Sequence, residues 1–121
     1  MRPRDSGVPA WQDKPIAWFG TSYADLCAFS PDVRRLAGFQ LGLLQHGETA
    51  DDWKPMSAVG AGVIEIRIRA GVSHRILVVT KFAEAIYVLH AFEKRSAKTR
   101  KSDIDLAKRR YRELTARRKE G

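Results

Sequence analysis

From residue 63 to residue 69 the side chains alternate strictly, with Ile64, Ile66 and Ile68 on one side and Glu65, Arg67 and Arg69 on the other. A period of two does not fit a helix face, which repeats every ~3.6 residues, and it lays the isoleucines along one side of an extended chain. The segment is therefore a strand with one side toward a core. Ala70, Gly71 and Val72 supply a turn, and residues 74–80, rich in Val, Ile and Leu, return as a hairpin. After a second turn at 82–84, the run 85–92 (AIYVLHAF) makes another strand. Strands this close in sequence pair with their neighbours, which gives an antiparallel three-strand meander.

The flanks read as helical. Residues 15–20 (PIAWFG) are a short apolar run between proline and glycine, a first strand. Thr21 or Ser22 then caps a helix, or a helical turn over 23–29 leads to Ser30-Pro31-Asp32, where a hydroxyl cap, an initial proline and an early acid start one. Through residues 31–45, Val33, Leu36, Ala37, Phe39, Gln40, Leu43 and Leu44 recur at helical spacing and define a packing face that Gly47 ends. Residues 48–62, with Asp51, Asp52, Pro55 and few large apolar side chains, read as a surface loop carrying Trp53 and Lys54. Ser102 begins a last helix, with Asp103 in its first turn and Asp105 in the capping-box position. Ile104, Ala107, Tyr111 and Leu114 form its narrow apolar stripe, and residues 111–119 are expected to fray. The expected architecture is a single small α+β domain over residues 14–121, preceded by a flexible lead-in, residues 1–13, whose Trp11 anchors its end.

Charge says what such a domain meets. Residues 94–121 hold 12 Lys and Arg against 4 Asp and Glu, whereas residues 1–93 hold 10 of each, so the whole excess of +8 sits on one terminal segment. Clustered cations neutralise phosphates and release their counterions, and the polyanion expected here is RNA. The single cysteine, Cys27, excludes an internal disulfide framework, fits a reducing compartment and, beside Leu26 and Phe29, reads as a buried thiol. No apolar run approaches the roughly 20 residues that cross a bilayer, and the N-terminal residues lack the apolar core of a secretory signal, so a cytoplasmic location is expected. His46, His74 and His90 have no metal-ligand spacing, and neither metal nor other cofactor is expected.

Five short blocks carry a resemblance: Lys54-Pro55-Met56, Gly62 through Arg67 (GVIEIR), His74-Arg75-Ile76, Ala91 through Ser96 (AFEKRS) and Asp103 through Ala107 (DIDLA). In this order they resemble the RelE and ParE superfamily of toxins, most closely its phage-derived HigB-like branch, over about residues 14–114. The resemblance implies a RelE-like fold. It also implies a toxin that enters the ribosomal A site and cuts mRNA there, beside a helix-turn-helix antitoxin similar to HigA. The chemistry implied is attack of an RNA 2′-hydroxyl on the adjacent phosphate, which needs a base, cations around phosphorus and an acid for the leaving oxygen.

On that resemblance Arg67 and Arg75 match phosphate-binding positions, and Lys94 and Arg95 match the basic pair that closes the site. His90, two residues before Phe92, is the candidate base, because histidine is the side chain type suited to proton transfer near neutral pH; Tyr111, on the apolar stripe, is assigned to packing. Lys54, Arg69, Lys98, Lys101, Lys108, Arg109 and Arg112 are the expected RNA contacts, within a basic tail that also holds Arg110, Arg117, Arg118 and Lys119. Solvated strand and helix faces are the structural alternative for these cations. Two other functions use the same residues differently: a ParE-like inhibitor that binds DNA gyrase, and a noncatalytic nucleic-acid-binding phage accessory protein.

Overall fold

The computed structural model describes residues 13–120, so the N-terminal lead-in, Trp11 included, lies outside the described residues but for Asp13. In chain order the elements are β1 (Ile16–Trp18), α1 (Ser22–Cys27), α2 (Pro31–Gln45), β2 (Trp53–Pro55), β3 (Val63–Ala70), β4 (Val72–Val79), β5 (Ile86–Lys94) and α3 (Lys101–Glu120). They build one small α+β domain around a five-stranded sheet of order β1-β5-β4-β3-β2. The expected meander β3-β4-β5 is its antiparallel centre, and β1 pairs parallel with β5, Ile16 opposite Ile86.

Alternation in β3 divides the sheet into two sides. Ile66, Ile68, Ile76, Val78, Ile86 and Val88 point to one side and pack with Leu26, Phe29, Val33, Ala37, Leu41 and Leu44 of the segment holding α1 and α2. Each fully buried Val, Leu, Ile or Phe among them stabilises the fold by roughly 1.5–3 kcal/mol relative to exposure. On the other side Val63, Leu77, Val79 and Leu89 pack with Phe19, Val59, Phe92 and, from α3, Ala107 and Leu114. Leu77 faces His90 while Val78 faces Val88, so Leu89 is an extra residue in β5. Such a bulge re-aims neighbouring side chains, and here both Leu89 and His90 reach α3.

Several expectations are corrected. Within the presumed loop 48–62, Trp53–Pro55 is an edge strand paired with β3; its brevity and its proline, tolerated at an edge, hid it. Leu36 and Phe39 belong to the exposed side of α2, and Gln40 is buried because it exchanges hydrogen bonds with Asp51. Cys27 is half-buried rather than buried. In α3 the Arg100 carbonyl accepts from the Asp103 and Ile104 amides, so Ser102 lies inside the helix and Asp105 pairs with Lys101 instead of closing a capping box.

The end of α3 does not fray. It runs to Glu120, and Arg118 stacks 3.6 Å over the Phe82 ring while donating to both oxygens of Glu84 at 2.8 and 3.2 Å. The Arg118 hydrogen bond, with a second from the Tyr87 hydroxyl, lowers the Glu84 pKa to about 2. Among the described residues no helix is long and apolar enough to cross a membrane.

Candidate functional site

The strand register arranges the polar residues of the α3 side in three successive rows. Lys54, Glu65, Leu77 and His90 make the first; Arg67, Arg75 and Phe92 the second; Arg69, Ser73 and Lys94 the third. Rows two residues apart along a strand are separated by about 6.6 Å, and cross-strand neighbours within a row by about 5 Å at Cβ. The N-terminal turn of α3 reaches the first row, where Asp103 Oδ1 stands 2.7 Å from His90 Nε2. α3 packs over the sheet from there toward Val63 and Val79.

Each arginine of the second row is held by a carboxylate. Arg67 donates from Nε to Asp52 Oδ1 at 2.9 Å, with Nη2 2.8 Å from the same oxygen, and its own amide bonds the Asp52 carbonyl. Arg69 donates to Asp52 Oδ2 at 3.0 Å, and this bond, with that from Arg67, lowers the Asp52 pKa. Arg75 is 7% exposed and Glu65 1%, with Arg75 Nε 3.3 Å from Glu65 Oε1; Lys54 Nζ lies 3.9 Å from the same oxygen. Burial lowers the Arg75 pKa and the Glu65 charge opposes that shift. Arg75 Nη1 is engaged by Ser73 Oγ and the His74 carbonyl. Each guanidinium is thus fixed before a ligand arrives, which limits the ordering cost of gripping an anion.

The other expected residues fall in different places. Lys94 is half-buried in the third row with Nζ on the Ala97 carbonyl at 2.8 Å. Arg95 is drawn away: its Nη2 donates to Glu93 Oε1 at 2.6 Å, and Glu93 faces His74 on the α1/α2 side. His90 is buried and stacked on Phe92, ring centroids 4.7 Å apart. Lys98, Lys101, Arg109 and Arg112 are exposed and Lys108 is half-buried, with Lys101 paired to Asp105 at 2.7 Å.

Arg110 is no part of a basic surface. It is buried, donating to the Leu89 carbonyl at 2.8 Å and to Thr21 Oγ1 at 3.2 Å, and it presses so closely on Gly20 that a Cβ there would lie 2.6 Å from Nε. Tyr111 donates to the Ala61 carbonyl at 2.7 Å, with its ring over Gly60.

Asp52, Glu65 and Asp103 are site residues that sequence reasoning did not assign to the site. Glu65 stood on the polar side of the alternation, but alternation does not reveal that a side is covered. Among the described residues, no three His, Cys, Asp or Glu side chains are grouped to hold a metal ion.

No curated protein matches the chain. The model of the family described as phage-derived protein Gp49-like (DUF891) matches residues 24–112. That span runs from α1 into α3 and takes in all three rows with Asp52 and Asp103. The chain belongs to the phage-derived Gp49-like family, one of the RelE/ParE-type toxin families.

Proposed function

We propose that this protein is the toxin of a type II toxin–antitoxin pair, of the HigB-like branch, and that it cuts mRNA on the ribosome. The observation that carries the reading is the second row: two arginines side by side on the sheet, each fixed by a carboxylate, with Lys94 in the row beyond. Fixed guanidinium forks suit the paired oxygens of a phosphodiester and the charge that builds on it during transfer. In this reading Arg67 and Arg75 hold the scissile phosphate, Lys94 protonates the leaving oxygen and His90 takes the 2′-hydroxyl proton. Lys54, Arg69, Lys98, Lys101, Lys108, Arg109 and Arg112 hold flanking RNA, and Arg95 closes the site after leaving Glu93. The partner is a helix-turn-helix antitoxin.

The test is primer extension on a reporter mRNA after induction in cells, with a translation-blocked transcript beside it. Arg75→Ala is a poor variant, because it strands the buried Glu65 carboxylate and destabilises the fold by about 3–5 kcal/mol. Arg75→Lys keeps the charge and removes the fork, and its cleavage should fall by about 10²–10³-fold. Cleavage confined to the translated message and weakened in Arg75→Lys supports the reading. Intact message with arrested growth moves the target to gyrase, and intact message with normal growth leaves a nucleic-acid-binding accessory protein.

A further inference from the structure

Four buried side-chain atoms among the described residues have no hydrogen-bond partner: Glu65 Oε2, His74 Nδ1, Arg75 Nε and His90 Nδ1. Buried polar atoms are nearly always paired, so each exception calls for a reason. His74 lies on the α1/α2 side, edge-on to Phe29. The other three lie on the α3 side in two adjoining rows. Arg75 Nε and Glu65 Oε2 belong to one ion pair, which the 3.3 Å approach of Nε to Oε1 explains in outline. His90 Nδ1 has no such explanation.

The opposite nitrogen of that ring is fully engaged. His90 Nε2 lies 2.7 Å from Asp103 Oδ1, and both side chains are largely buried, at 7% and 18% exposure. A carboxylate has no proton to give, so a neutral imidazole in this contact carries its hydrogen on Nε2 and leaves Nδ1 as a bare lone pair. Stacking on Phe92 fixes the plane of the ring. Orienter, imidazole and unpaired nitrogen in line are the arrangement by which a carboxylate sets the tautomer of a general base.

Position along β5 completes the geometry. His90, Phe92 and Lys94 occupy successive rows, with the Arg67–Arg75 row between His90 and Lys94. An in-line displacement needs its base and its acid on opposite sides of phosphorus, and this order provides that.

We infer that Asp103 is a positioning residue for the cleavage reaction, holding His90 in the tautomer whose Nδ1 is the general base. The inference rests on the nuclease reading given above. The 2′-hydroxyl proton passes to Nδ1 as the 2′-oxygen bonds to phosphorus. The bond from phosphorus to the 5′-oxygen breaks, its electron pair leaving with that oxygen, which takes a proton from the Lys94 ammonium. The products are a 2′,3′-cyclic phosphate and a 5′-hydroxyl. Nδ1 is buried in the free protein, so the reaction requires that RNA binding uncover it.

Two measurements test this, and the first needs no ribosome. In protein labelled with ¹⁵N-histidine at neutral pH, two-bond nitrogen–carbon proton correlation should give His90 a protonated Nε2 and an unprotonated Nδ1. A hydrogen on Nδ1, or a ring charged at both nitrogens, overturns the assignment whatever the protein cuts. The second is single-turnover cleavage on ribosomes programmed with a message whose cut site wild-type protein has mapped.

Asp103→Asn should slow cleavage by about 10²–10⁴-fold, the range for losing a positioned base, while affinity for the same message carrying a 2′-deoxynucleotide at the cut site is unchanged. Affinity and rate falling together, with a lowered unfolding midpoint, would make Asp103 a structural tie of α3 and overturn the inference. A rate equal to wild type would also overturn it. Should Asp103→Asn misfold, Asp103→Glu keeps the carboxylate and should retain the tautomer; loss of the tautomer in that folded variant overturns the inference. Wild-type protein that leaves the message whole refutes the nuclease reading itself, even with the tautomer as assigned.

Discussion

The two sides of one sheet meet opposite fates. On the α1/α2 side Ile66, Ile68, Ile76, Val78, Ile86 and Val88 are sealed under two helices. On the α3 side the same strands begin equally apolar, at Val63, Leu77 and Val79, but past the first turn of α3 they carry Glu65, Arg67, Arg69, Arg75 and Lys94. One helix covers only part of a sheet side, and the remainder is free to hold charge. The sealed side fixes where those charged side chains stand, to within the spacing of strands and rows.

The strongest way to break this comparison is to damage the sealed side alone. Ile76→Ala opens a cavity in a fully buried site and should cost about 2–5 kcal/mol. Urea unfolding should then show a lower midpoint and an unchanged slope; a loss below about 0.5 kcal/mol, the range of surface changes, would mean that this side does not organise the fold. Smaller is the effect expected for Arg110→Met. It keeps the packing stem but deprives the Leu89 carbonyl of its donor, costing about 1–3 kcal/mol. RNA affinity at fixed salt should stay as it was; a large loss would return Arg110 to the binding surface.

The reverse pattern is expected of Lys108, Arg109 and Arg112 changed together to Gln. Stability should hardly move. The slope of log affinity against log salt should shrink by about one unit for each phosphate contact removed, as measured by filter binding to RNA at several salt concentrations. An unchanged slope would confine RNA contact to the sheet.

The smallest effect concerns Glu84. Its folded pKa is depressed to about 2 from the ordinary 4.5, first by the Arg118 hydrogen bond and then by that of Tyr87. It therefore adds stability above pH 4.5, and that increment is lost as the pH falls through about 2. Melting curves of wild type and Glu84→Gln should differ near neutrality and converge on acidification. Parallel curves across that window would show that the clamp on the end of α3 carries no weight.

How much of this was legible beforehand follows from the physics of each element. The alternation of Ile64, Ile66 and Ile68 is a strong signal, because one slip would turn every isoleucine to solvent, and it located β3 and its hairpin with β4. Ser30-Pro31-Asp32 located α2 because capping is local chemistry, and Ser30 Oγ does accept from the Val33 amide.

What stayed hidden depends on distant contacts. The three residues of β2 carry no period and gain strand form only from β3. Leu36 and Phe39 share helical spacing with Ala37 and Leu44, yet spacing alone does not say how wide a stripe the sheet will cover. In the site, Arg67, Arg75 and Lys94 were visible as basic residues in familiar blocks. The counter-charge Asp52 was not, since it comes from a segment without pattern, and Glu65 was legible as a cross-strand partner but not as a buried one. Arg110 shows the opposite error: counting charge assigned it to a surface, whereas a carbonyl left bare by the β5 bulge drew it inside.

The parallel pairing of β1 with β5 has a consequence for how the chain comes into being. Ile16 must wait for Ile86, so the β1 contacts close a loop of most of the molecule, whereas the β3–β4 hairpin closes over a few residues. Contacts of long sequence separation form late and slowly. During synthesis from the N-terminus, β1 and α1 emerge before the strand that completes them, and α3 emerges last of all. Synthesis therefore leaves β1 unpaired until β5 arrives to close that edge of the sheet.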